Sequence, residues 1–327
     1  MRDLVSLGNQ FINDFPSTPA DKGRNGQCRL DLVVCDRCSL IQLRHTAPQE
    51  LLYSRHYWYK SGINDTIRND LREIAESASR LVKLRPGDVV LDIGANDGTL
   101  LSNLKGAAIR VGCEPATNLQ PELRGNVEHM IGDFWNRDNY ERLGLAQARI
   151  ITAIGMFYDM EDPNQFIRDA AAVLAPDGVF VAQLMTLKSM LENNDLGNIC
   201  HEHLEYYTYQ SLKYLFESNG LEIFELTENV INGGSYRLFA RHKKIGSINY
   251  DETVSADDLV PFMQRLDCQR DLCVDYIRKS VADGKKIYVY GASTKGNVIL
   301  QYYGLDSTLI QGAADRNPAK WGKYTLT

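Results

Sequence analysis

The chain has 327 residues, 44% hydrophobic and 24% charged, which suits a globular protein of about two domains that can bury its own core. Its net charge of -6 argues against a general nucleic-acid partner, whose phosphates need a basic footprint. No apolar run approaches the ~20 residues of a membrane helix, and MRDLVSLGNQFINDF at the start holds no signal-peptide stretch, so the expected location is cytoplasmic.

Residues 1–50 read as short strands and turns, with LDLVVC and SLIQL as strand-like runs around DRC. Cys35 and Cys38 have metal-ligand spacing, but tetrahedral zinc wants four ligands and two thiolates leave the site incomplete. Cys28 and His45 are further donors; the plainer reading is two reduced thiols in a hairpin. The seven cysteines are odd in number and scattered, which is not a disulfide framework. Residues 62–83 predict a helix, with Ile67, Leu71, Ile74, Ala78 and Leu81 at helical spacing and RPG ending it.

Strands and helices then alternate. DVVLDIG, IRVGCEP, VEHMIGDF, ARIITAIGMF and DGVFVAQLM read as strands, GTLLSNL and PNQFIRDAAAVLA as helices. That order predicts a parallel sheet covered by helices on both faces. QSLKYLFESNG is a helix ended by Gly220, and LEIFELTEN and GGSYRLFARH are an antiparallel pair. Residues 246–256 read as a polar linker, and a long helix follows over about 257–282. KKIYVYGASTKGNVILQYYG and LIQGAADRNP open a second nucleotide-type unit with only two strands. So small a sheet is marginal alone, so either the strands pack on the long helix or the chain is a fragment.

VVLDIGANDGTLL, residues 89–101, is a buried strand, a tight turn and a helix start. Gly94 and Gly98 let backbone approach a ligand, with Ala95 and Asn96 between them, and the helix start offers free N–H groups. The dinucleotide G-x-G-x-x-G pattern is absent. Asp92 and Asp97 repel phosphate and suit a cation such as a sulfonium with its amino-acid tail. Glu114 ends the next strand, where an acid accepts from ribose hydroxyls, and Asp133 with Phe134 ends a third, suited to adenine. Ordinary loop acids and caps would look alike one at a time; the ordered set points to S-adenosylmethionine.

With these residues the chain resembles the class I S-adenosylmethionine-dependent methyltransferases, and more narrowly the sugar C-methyltransferases that act on nucleotide-linked 4-keto-deoxysugars. LVVCDRCSLIQL, HYWYKS, LDIGANDGTLL, HEHLEYYTYQSL, NGGSYRLF and YGASTKGN with ADRNPAKWGK carry the resemblance in family order. It implies an α/β fold in three parts: a partial N-terminal zinc-type module (1–50), a Rossmann-like methyltransferase domain (51–245) and a partial Rossmann-like C-terminal domain (246–327). It implies His203 as base, Glu202 beside it, and Tyr59 bordering the sugar site. Three departures stand out. An upstream CxxC pair is missing, the motif's tyrosine is Cys200, and the C-terminal domain is short, which suggests a fragment.

GNICHEHLEYY, residues 197–207, crowds titratable groups. His201 and His203 are two apart rather than the four of a zinc protease, and no P-C-x-x-C follows as in the zinc deaminases. A base removing a proton next to a ketone would give an enolate that attacks a methyl group, and histidine titrates in the right range. Cys200 and His201 would line the substrate, Arg237 could hold a diphosphate, and Lys295 sits in a phosphate-compatible turn. The expected partner is a small molecule, a nucleotide-linked sugar, with no nucleic acid or membrane; monomer and homodimer both remain open. Two other readings stay beside this one: an O-methyltransferase on another sugar or polar metabolite, and a non-catalytic module that binds the cofactor or a nucleotide.

Overall fold

The structure, a computed structural model, describes residues 1–54, 57–104 and 108–327. His56, which opens the HYWYKS run, lies outside them. In chain order the strands are β1 (Arg2–Phe11), β2 (Gln27–Val34), β3 (Ile41–Leu43), β4 (Val89–Ile93) and β5 (Ile109–Cys113). Next come β6 (His129–Ile131), β7 (Ala148–Ile154), β8 (Leu174–Met185) and β9 (Glu205–Tyr206). The last are β10 (Leu221–Asn229), β11 (Ser235–His242), β12 (Ile287–Tyr290) and β13 (Ile310–Ala314). The chain divides into two compact units: Met1–Pro48 with Leu187–Tyr206 and Thr253–Thr327, and Gln49–Thr186 with Tyr207–Glu252.

The second unit holds a sheet whose order, among the described residues, is β10-β11-β8-β7-β4-β5-β6. β8, β7, β4, β5 and β6 run parallel. β11 runs antiparallel between β8 and β10, so the expected parallel sheet and antiparallel pair form one mixed sheet. All five residues of β4 are buried, which is why VVLDI carries no polar–apolar alternation. The helix Asp65–Leu81 starts on Asn64, whose side chain accepts from the Thr66 N–H. It buries Ile67, Leu71, Ile74, Ala75 and Ala78 in one core with Val90, Leu100, Leu101 and Ile150. Leu81, expected on that apolar face, is 45% exposed, because it is the last residue of the helix.

The first unit holds an antiparallel sheet in the order β1-β2-β3-β9. β1 had no individual signal in the sequence, because register shifts at Asp3/Val5 and Ser6/Asn9 break its period of two. β9 directly follows the HEH stretch, and Tyr206 pairs with Ile41, so the hairpin around Cys35 and Cys38 anchors that stretch. The helix Leu259–Ala282 puts Leu259, Phe262 and Leu266 into a core with Leu30, Leu32, Ile41, Ile199 and Leu204. Compactness therefore groups residues across the three consecutive stretches expected from sequence, because this core draws on both chain ends and on 187–206. Further along that helix Val274 and Ile277 pack with Ile287, Val289, Leu300 and Ile310, so the two parallel strands β12 and β13 do lean on it.

Candidate functional site

In the second unit the chain leaves β4 into the loop 94–98. β4 lies between β5 and β7, so chain order reverses there, and the carboxyl ends at such a point form a ligand crevice. Gly94 has φ 72°, and a Cβ on it would come within 2.7 Å of Met156 Cγ. Gly98 has φ 80°, and a Cβ there would meet Asn126 Cβ at 2.8 Å. Both positions need glycine's backbone range and its lack of bulk. Asn96 also takes a positive φ, 52°. The loop closes on β5, with the N–H groups of Gly94 and Ala95 donating to Cys113 O at 2.9 and 3.0 Å.

Asp92 is 3% exposed, and its Oδ1 accepts from Thr152 Oγ1 at 2.6 Å. Burial pushes its carboxyl up to about 7, against the Thr152 bond, with Glu114 adding repulsion. Glu114 is raised by burial too, although its Oε2 accepts from Asn96 N and its Oε1 from Ala116 N, both at 2.8 Å. Each of those oxygens keeps further acceptor capacity for a hydroxyl. Asp133 follows β6 on the surface, and its Oδ1 accepts from Phe134 N at 2.7 Å. The predicted residues Asp92, Gly94 to Gly98, Glu114, Asp133 and Phe134 thus sit at the ends of three adjacent parallel strands. Acidic groups for a cation and ribose, with glycines leaving room, fit an adenosyl sulfonium ligand.

Tyr59 joins this group. Asn96 Oδ1 accepts from Ser61 N at 2.9 Å, Asp97 Oδ2 from Gly62 N at 2.7 Å, and Asn96 Nδ2 donates to Tyr59 O at 3.2 Å. The two polar residues between Ala95 and Gly98 therefore strap residues 59–62 along the loop. Tyr59 keeps 43% of its surface exposed, while desolvation of its hydroxyl and the Asp97 charge push its phenol up to about 12.

Arg237, expected to hold a diphosphate, is 6% exposed. Its guanidinium meets Asp70 Oδ1 at 2.6 Å, Gln183 Oε1 at 2.9 Å and Glu73 Oε1 at 3.3 Å. Gln183 also donates to Asp70 Oδ2 at 2.6 Å and accepts from Asn229 Nδ2 at 3.0 Å. This is a hydrogen-bonded internal network in which the one guanidinium faces two carboxylates of the same unit.

In the first unit the HEH stretch forms a turn between the short helix Leu196–Asn198 and β9. His203 Nδ1 lies 2.9 Å from Asn198 O. A carbonyl only accepts, so Nδ1 carries the proton and Nε2 is the basic nitrogen. Burial, then the Lys295 charge, lowers His203 to about 3. Burial raises Glu202 to about 7, although Asn13, Cys200 and Thr294 hydrogen-bond to it. Lys295 Nζ pairs with Asp195 Oδ2 at 2.8 Å. Its Cβ lies 2.6 Å from where a side chain on Gly197 would start.

Cys200 is 1% exposed inside the apolar core, and His201 is 1% exposed with Nε2 3.1 Å from Cys28 O. Both face the packed interior, and their expected part in lining a substrate finds no support in that placement. Cys35 and Cys38 interact through their side chains. Cys28 Sγ instead donates to Arg29 O at 3.7 Å and His45 faces Asp31 at 3.6 Å. Among the described residues no group of three or more His, Cys, Asp and Glu gathers for a metal, so this donor set does not fit four-coordinate zinc. Thr152, Asn198, Asn13 and Thr294 were missed by sequence reasoning. Of these, Asn198 stood in GNICHEHLEYY and Thr294 in GASTKGN, both stretches the sequence marked.

A family described as "Methyltransferase domain" matches residues 66–226, and one described as "C-methyltransferase C-terminal domain" matches residues 230–327. The C-methyltransferase NovU of Streptomyces niveus is 30% identical over 340 residues, covering 98% of this chain and 80% of that protein. Among solved structures, magnesium protoporphyrin IX methyltransferase (ChlM) of Synechocystis PCC 6803 with bound SAH aligns at TM-score 0.44 and 13% identity, over 55% of this chain and 88% of that one. An S-adenosylmethionine-dependent methyltransferase from Clostridium acetobutylicum aligns at TM-score 0.42 and 10% identity, over 54% and 92%.

Proposed function

The chain belongs to the class I S-adenosylmethionine-dependent C-methyltransferases, and from that premise we propose that it methylates a carbon next to the ketone of a nucleotide-linked 4-keto-deoxysugar. The observation that carries this reading is His203, held by Asn198 O in the tautomer that leaves Nε2 basic, with a titratable Glu202 beside it. Carbon methylation next to a ketone needs such a base; simple oxygen methylation does not need an enolate.

S-adenosylmethionine, when bound, supplies a methyl group on a positively charged sulfur. Asp92, the loop Gly94 to Gly98, Glu114, Asp133 and Phe134 would hold it, and Tyr59 would border the sugar. His203 Nε2 takes the proton from the carbon adjacent to the ketone. The electron pair of that C–H bond would be left as the enolate, and the cofactor held by the loop would supply the methyl group to its carbon. His203 enters the step uncharged, because burial and Lys295 disfavour its cation. Glu202, pushed up to about 7 by burial, is the carboxylate assigned to receive the proton afterwards.

The test uses labelled cofactor, a panel of nucleotide-linked keto-sugars and location of the label. His203→Asn should lose turnover and the exchange of the substrate's α-proton with solvent while cofactor affinity stays unchanged; retained turnover would overturn the base assignment. Label on oxygen, with no α-proton exchange in the wild type, would make the protein an O-methyltransferase.

A further inference from the structure

Within the first unit one side-chain amide joins three remote segments. Asn13, just past β1, donates from Nδ2 to Glu202 Oε1 at 3.1 Å and to Thr294 Oγ1 at 2.9 Å. Its Oδ1 accepts from Asn297 Nδ2 at 2.7 Å, which decides which way the amide faces. Asn297 is 2% exposed and is itself fixed, with Nδ2 reaching Asp14 O at 3.3 Å and Oδ1 accepting from Leu326 N at 3.2 Å. Thr294 also hydrogen-bonds to Glu202, so amide, hydroxyl and carboxylate close a triangle.

We propose that Asn13 is a positioning residue for the reaction: its amide, aimed by Asn297, holds the Glu202 carboxylate in place and favours its charged form. The inference deepens the proposed function, because it rests on Glu202 taking part in proton transfer. An amide N–H can only donate to the carboxylate, and a donor stabilises the ionised form. Burial opposes it, and the balance leaves Glu202 at about 7. The other titratable groups on the surrounding elements are Cys200, His201 and His203 on the same turn, Asp14 paired with Arg24, and Lys295 paired with Asp195.

Asn13→Ala removes the donor; Asn13→Asp keeps the shape and the acceptor for Asn297 but turns a donor into a like charge. The test is made on the full 327-residue chain. The titration of Glu202 is read by infrared carboxyl difference spectra against Glu202→Gln, with no substrate present. The midpoint should rise in the order wild type, Asn13→Ala, Asn13→Asp, by about 1 pH unit or more in the last. The rising limb of kcat/KM against pH should move with it, while cofactor affinity stays unchanged. A midpoint that stays put in whichever variant keeps cofactor affinity overturns the proposal, because a merely structural asparagine would alter stability alone. A midpoint that moves in a protein that methylates no keto-sugar leaves Asn13 as the group that sets Glu202, and overturns the proposed function instead.

Discussion

Asp92 is where packing and chemistry oppose each other most. It lies in the fully buried strand β4, so its charge is disfavoured until a cation arrives. Only the ionised carboxylate attracts a sulfonium or ammonium group, so cofactor affinity should rise as pH passes upward through about 7. Asp92→Asn keeps an acceptor for Thr152 and removes the charge; calorimetry should find affinity at alkaline pH reduced about tenfold, equivalent to about 1.4 kcal/mol. At Gly94 the limits are steric. Gly94→Ala faces both the positive φ and Met156, so urea unfolding should register about 1–3 kcal/mol of destabilisation, with cofactor affinity lost as well.

At the scale of elements, Arg237 is the clearest case of a functional expectation met by a structural partner. Its ion pair ties β11 to the helix Asp65–Leu81, and Gln183 extends the network to β8. Removing one member of a buried pair strands the other. Arg237→Met should therefore lower unfolding stability by about 3–5 kcal/mol, and Asp70→Asn in the same chain should restore part of it. A role in gripping a diphosphate would give the opposite pattern, a raised KM with stability intact. The HEH turn owes its shape to elements likewise: β9 after it pairs with β3, and Asn198 in the short helix before it selects the histidine tautomer.

At the scale of the whole molecule, buried carboxyls set how stability follows pH. Asp92 and Glu202 are both raised to about 7 in the folded chain, so they bind protons more tightly there than in the unfolded chain. Their contribution is fully present below the ordinary carboxyl range and is lost as pH rises toward about 7. Glu222 behaves oppositely. It is desolvated, yet three N–H groups at Lys244, Ile245 and Gly246 and the Arg241 guanidinium hold it down at about 2. Its contribution is present above the ordinary carboxyl range and is lost as pH falls toward about 2. His203, lowered to about 3, works against them: its contribution is present above the ordinary histidine range and is lost as pH falls toward about 3. Relative to the wild type, the urea midpoints of Glu202→Gln and Asp92→Asn should therefore rise as pH goes from mildly acidic to neutral.

Local pattern was enough for much of this protein. Strand β4 is buried throughout, and β7 nearly so, because both faces of the sheet centre are covered, and that is why VVLDI and ARIITAI show no alternation. The glycines at 94 and 98 and the acids at 92, 114 and 133 stood at strand ends within single βα units, so their order along the chain already described a cofactor loop. The tertiary structure decided what depends on remote partners. Asn13 and Glu202 are 189 residues apart, Asp92 and Thr152 60, and Arg237 and Asp70 167. Nothing in the spacing of an isolated asparagine, threonine or arginine says which carboxylate it will meet. A carboxyl's charge in the fold depends on burial and on those partners, so the sequence named Glu202 and His203, and only packing set their proton affinities.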